Sequence, residues 1–147
     1  MARYRKIMVA YNGADESRAA LDEAAGFGAD PEVEMHVAAV MNTAAYLVAG
    51  EYLPEMTLAA GRDELQADMK DAEAKLAARG IRVQSHFVIG EPVDVIARLV
   101  ETLGIDLLII GHSRAKSFAM RWWRGSVDTM LIERVRCSIL VAADVKG

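Results

Sequence analysis

Cysteine, histidine and proline are all scarce in this chain, at one, three and three residues among 147. With Cys137 alone, an intrachain disulfide is excluded. No apolar run is long enough to cross a membrane, and no N-terminal stretch has the charged, apolar and small-residue order of a secretory signal. These absences point to the cytosol, with no membrane partner. Positive charge is also in deficit, the formal net charge being −4, so a surface that binds nucleic acid by broad counterion release is excluded. Several catalytic signatures are missing. There is no Gly-Lys-Ser/Thr of a Walker A loop, no G-x-G-x-x-G after the first strand, and no nucleophile elbow around Ser17, Ser113, Ser117 or Ser126. Neither His36 nor His86 has a Cys, Asp or Glu at a metal-ligand spacing, so both are read as structural and no metal site is expected.

What is present supports one folded domain over residues 1–147. Hydrophobic residues make up 53% and charged residues 26%, enough to bury a core in a chain of single-domain size. The chain alternates strand and helix signals. RKIMVA (5–10) enters a first strand ending near Tyr11, and Asn12-Gly13 follows as a turn. A helix is expected from about Asp15 to Phe27, with Ser17 as a capping residue, then a stop at Gly28 to Pro31. Val33 to Val40 reads as a second strand. Met41 to Glu55, broken by Gly50 and Pro54, reads as a loop with room for a helical turn. Residues 56–79 form the longest helix, its acidic stretch Asp63 to Glu73 facing solvent.

Ile81 to Ile89 reads as the third strand after Gly80. Pro92 stands at the first position of a helix running to about Leu103, closed by Gly104. Leu107 to Ile110 is the fourth strand, Ser126 to about Val135 the last helix and Ser138 to Ala142 the fifth strand. This alternation predicts an α/β fold: a five-stranded parallel sheet with helices on both faces, Rossmann-like. In such folds ligands lie beyond the carboxyl ends of the strands, where strand order reverses. Asn12 and Gly111 both stand at strand ends, so they face one another if the first and fourth strands are neighbours.

The loop between Gly111 and Ser126 holds Arg114, Lys116, Arg121 and Arg124 and no acidic residue. Two readings fit it. In one, a strand, a basic loop and a helix start combine backbone N–H groups and the helix dipole to hold a di- or triphosphate. In the other, the charges keep Trp122 and Trp123 soluble in an ordinary loop. The adjacent tryptophans cannot share a face and are read as core or interface residues. His112 lies in the candidate site and can donate to a phosphate, but nothing in the sequence supplies it with a catalytic partner. Cys137 stands beside Arg136, which would lower its pKa, and its alternative is a packed, inert thiol. No catalytic constellation is evident.

Three segments together resemble the universal stress protein family. KIMVAYNGADESRAALDEA is similar to its opening strand and helix, GEPVDVIARLVETLGIDLLIIGHS to its third helix and fourth strand, and GSVDTMLIERVRCSILVA to its closing helix and strand. The resemblance spans nearly the whole chain. It implies a five-stranded sandwich of the adenine nucleotide alpha hydrolase type, with the first and fourth strands side by side. It also implies a homodimer formed through the last strand, Ser138 to Ala142.

Family members that bind ATP carry G-x-x-G, nine residues, then G-S/T. Gly111 matches the first glycine and Gly125-Ser126 the final pair, but Arg114 stands where the second glycine would be, and residues 115–124 make the spacer ten. Asn12 replaces the acidic residue at the end of the first strand. Arg114 puts a bulky side chain where backbone would approach phosphate, while adding charge. Asn12 keeps a hydrogen-bonding group but lacks the charge that would hold a metal ion, so no magnesium requirement is expected.

The resemblance therefore implies a regulatory site for ATP or another adenine nucleotide. It would be built from Asn12, Ala38 (base contact), Gly111, His112, Ser113, Arg114, Gly125, Ser126 and Val127, and any hydrolysis would be slow. The alternative is a homodimeric interaction module of the same fold that binds a protein partner through Trp122 and Trp123 instead of a nucleotide. A third is a nucleotide hydrolase using His112.

Overall fold

Four consecutive residues of the first strand, Ile7 to Ala10, are buried on both faces, which only an interior strand covered by helices on each side achieves. The computed structural model describes residues 3–12, 15–42, 47–48, 51–52, 55–112 and 131–143. In chain order the elements are β1 (Lys6–Ala10), α1 (Asp15–Phe27), β2 (Glu34–Met41), β3 (Leu47–Val48), β4 (Glu51–Tyr52), α2 (Glu55–Ala77), β5 (Val83–Ile89), α3 (Pro92–Leu103), β6 (Leu107–His112) and β7 (Ser138–Ala143). Residues 131–134 are also helical. They belong to the expected last helix, whose first part, 126–130, lies outside the described residues.

The main sheet has the order β5-β2-β1-β6-β7, all pairs parallel. The chain builds outward from β1 through β2 to β5, then crosses back to place β6 on the other side of β1. Strand order thus reverses between β1 and β6, the neighbours the sequence required. Met8 pairs with His36 on one side and Leu108 on the other.

Alternate strand residues face opposite sides and divide the core in two. Ile7, Val9, Met35, Val37, Leu107 and Ile109 pack with Ala20, Leu21 and Ala24 of α1 and Ala72 and Leu76 of α2. Met8, Ala10, Ala38, Val40, Leu108 and Ile110 pack with Val93, Ile96 and Val100 of α3, and with Leu131 and Val135. The small alanines let α1 lie close to the sheet. α3 presents its apolar residues at helical spacing and is bounded by local chemistry. The Glu91 carboxylate accepts from the Asp94 N–H at 2.8 Å, Pro92 occupies the first turn, and Gly104 closes the helix at φ 69°, a left-handed conformation suited to glycine.

Asp106 fixes the start of the central strands. Its carboxylate accepts from the Arg5 N–H at 2.9 Å and the Lys6 N–H at 3.2 Å, and its own N–H donates to the Lys6 carbonyl at 2.9 Å. Two expectations need correction. β6 runs two residues past Ile110 to His112, because β7 pairs with it through Gly111 and His112. The stretch expected to hold a loop with room for a helical turn instead contains an antiparallel pair, with Leu47 opposite Tyr52 and Val48 opposite Glu51. Strands of two residues are too short to show alternation.

Candidate functional site

The carboxyl ends of β1 and β6 meet the first turn of α1, and three contacts set their geometry. The Tyr11 N–H donates to the Ala38 carbonyl at 2.9 Å and holds the end of β1 against β2. The next N–H, that of Asn12, donates to Ser17 Oγ at 3.4 Å. Ser17 is fully buried, and it lies inside α1 instead of at its cap. Its hydroxyl joins strand to helix, which corrects the capping role expected for it.

The third contact involves Gly111. A Cβ built on this glycine would stand 2.0 Å from the Glu16 carbonyl oxygen and 2.8 Å from the Ser17 N. The missing side chain is thus occupied by helix backbone, and α1 can sit on β6 only because residue 111 is glycine. Glu16 is itself buried, in the helical turn where the macrodipole favours a carboxylate. Sequence reading passed over Glu16 as a site element. Its signal was an acidic residue in the first turn, which is too common to single out.

Of the expected site residues, Asn12, Gly111 and His112 gather at this crevice, with Asn12 and His112 half-buried. Ala38 lies in β2, three residues before its end, with its side chain buried and in register with Ala10 and His86. Ser113, Arg114, Gly125, Ser126 and Val127 fall outside the described residues, as do Trp122 and Trp123. Among the described residues the crevice offers two polar side chains, Asn12 and His112, beside the strand-end backbone. On the side where a Cβ would stand, the space at Gly111 is filled by α1.

At the opposite end of the sheet, a cleft of about 640 Å³ lies between α3 and residues 134–137, lined in part by Arg98, Glu101, Arg134, Arg136 and Cys137. Arg134 is ion-paired with Asp94. The last helix ends at Arg134, where a cation is favoured by the helix dipole. Burial pushes the Cys137 thiol above its usual pKa, so the lowering expected from Arg136 does not occur and the packed-thiol reading holds.

The histidines hold a relationship that sequence reading missed. His36 Nε2 is 2.7 Å from Glu34 Oε2, and His36 Nδ1 is 2.9 Å from His86 Nε2. The signal for the first pair was present: two residues apart on a strand means the same face. The second pair depends on β2 lying beside β5. Among the described residues, no group of three or more His, Cys, Asp or Glu side chains is arranged to hold a metal, and no helix is long and apolar enough to cross a membrane.

The curated universal stress protein YxiE of Bacillus subtilis is 26% identical over 146 residues, 94% of this chain and 98% of its own. A crystal structure from the universal stress protein family of Burkholderia pseudomallei has a TM-score of 0.74 at 24% identity, covering 94% of this chain and 95% of that one. A universal stress protein in complex with cAMP has a TM-score of 0.68 at 22% identity, covering 96% and 98%. These structures share the five-stranded α/β fold. The model of the universal stress protein family matches residues 3–143, and the chain belongs to that family.

Proposed function

We propose that this universal stress protein binds an adenine nucleotide, ATP or a smaller relative, in the crevice at the carboxyl ends of β1 and β6, as a regulatory ligand in the stress response. One observation carries the reading: β1 and β6 are adjacent where strand order reverses, the place where open α/β sheets receive ligands. A solved relative in complex with cAMP supports the ligand class. Asn12 and His112 flank the crevice, and the basic segment from Ser113 through Arg114 to Gly125, Ser126 and Val127 supplies the phosphate contacts. Ala38, the assigned base contact, sits deeper on β2. The 147 residues act as one domain in the cytosol and pair through β7, an edge strand of the main sheet whose Val141 is 46% exposed. Calorimetric titration with ATP, AMP and cyclic AMP, with and without magnesium, tests the reading. Heat on binding is expected without a need for magnesium, and no heat at millimolar ligand rejects it.

The interaction-module reading is favoured by a different observation. Gly111 is required by the packing of α1 whether or not a phosphate ever approaches, so one of the two glycine matches is explained without a nucleotide. A titration without heat, together with a dimer in solution, selects this reading.

A further inference from the structure

Three side chains outside the crevice form a hydrogen-bonded chain across β2 and β5. Glu34 and His36 share one face of β2, and His36 stands in register with Met8, a residue of the core beneath α3. His86 on β5 lies in register with Ala38, on the same face. His36 is 1% exposed, and the two imidazole rings stack with centroids 5.2 Å apart and planes at 23°.

Counting protons shows what this chain permits. Ionised Glu34 only accepts, so His36 Nε2 carries a hydrogen. The contact between His36 Nδ1 and His86 Nε2 then has room for one hydrogen. In the neutral pair, His86 Nε2–H donates to His36 Nδ1. One added proton is accommodated, because either ring can be the imidazolium and the contact still holds a single hydrogen. A second proton puts two N–H groups head to head between two cations, one of them the buried His36.

We propose that Glu34, His36 and His86 form an acid-sensitive latch that holds β5 to β2, stays closed with one added proton and opens with the second. β5 is the strand such a latch would release. Among the described residues it lies at the edge of the sheet and pairs with β2 alone, and the Ser85 hydroxyl bond to Glu73 of α2 secures it on its other face.

Among the described residues, the charged surroundings do not supply a further anion to neutralise a second proton. Lys6 of β1 is in register with Glu34 and donates to the Leu103 carbonyl at 3.3 Å. Gln84 of β5 is uncharged and also bonds Glu34. Arg82, just before β5, is exposed, and α3 buries Val93, Ile96 and Val100 while Asp94, Arg98 and Glu101 are exposed. Burial, and then the neighbouring His36, lowers the His86 pKa from its usual 6.5. The closed form therefore binds fewer protons than the open one below that pH. Opening is favoured as pH falls from 6.5 to the lowered value and gains nothing further from His86 below it.

Amide hydrogen exchange on the full-length protein, from about pH 7.5 to about pH 5, tests the latch. Protection factors of the β5 amides should fall by about tenfold for each pH unit through the window, while those of β7, the other edge strand, should not. In His86→Gln the amide can donate to His36 Nδ1, or turn and accept from it, so β5 protection should be flat with pH. A flat profile in the unmodified protein, or an equal fall in His86→Gln, overturns the proposal. Imidazole NMR on the unmodified protein gives a second test that needs no variant. The pair should take up one proton with β5 still protected, and two protons taken up with protection intact would refute it.

Discussion

Gly111 of β6 and Glu16 of α1 are so close that the first atom of any side chain at 111 would lie 2.0 Å from the Glu16 carbonyl oxygen. The overlap is with helix backbone and cannot be relieved by a rotamer change. Gly111→Ala should therefore destabilise the protein by about 1–3 kcal/mol, the usual cost of forcing atoms into a packed interior. Urea unfolding without nucleotide measures this. An unchanged midpoint would show that α1 moves away freely and that the glycine has another purpose.

The same residue makes Gly125 the sharper probe of the ligand. If Gly125-Ser126 offers its amides to a phosphate, the carboxylate of Gly125→Asp repels that phosphate at short range. Nucleotide binding should disappear while the far-ultraviolet circular dichroism is unchanged. Calorimetric affinity equal to that of the parent would remove Gly125 from the site.

Asp106 makes a prediction about the sheet alone. Its carboxylate serves two backbone N–H groups at the entry to β1, both near solvent, so water replaces part of what is lost on truncation. Asp106→Ala should cost about 1–2 kcal/mol, read as a lower unfolding midpoint with an unchanged slope, and Asp106→Asn should cost less. Equal stability in the alanine variant would mean that strand pairing alone sets the register.

Dimerisation can be tested at β7 without disturbing its pairing to β6. Val141 is exposed, and a lysine on an edge strand opposes association of a second strand. Val141→Lys should shift the sedimentation profile toward monomer at micromolar concentration. A variant whose sedimentation equals the parent's would remove β7 as the interface.

Much of the architecture was legible because its signals are local. Pro92 and Gly104 bracket α3 where they were expected, since both act through their own backbone dihedrals. The apolar runs of β1 and β6 mark interior strands because only strands covered on both faces lack alternation. The β3–β4 pair was illegible for the opposite reason, two residues being too few for any period. Ser17 was misread because a serine near a helix start caps it more often than it bonds an incoming strand.

The candidate site was legible only in outline. Position in the strand-turn-helix pattern identified Asn12 and Gly111, while the purpose of Gly111 was invisible: Glu16 is a neighbour of residue 111 only after the chain has folded back. The same holds for Asp106, which bonds residues 100 and 101 positions away, and for His36 and His86, 50 apart. By itself, the sequence determined the alternation of strands and helices, the polarity of their faces and the family to which they belong, because periodicity, caps and motif order are properties of neighbouring residues. The tertiary structure alone decided which faces meet. It set Gly111 against α1, tied Asn12 to Ser17 and joined His36 to His86, since contacts across a parallel sheet follow from strand order and register, which no local stretch encodes.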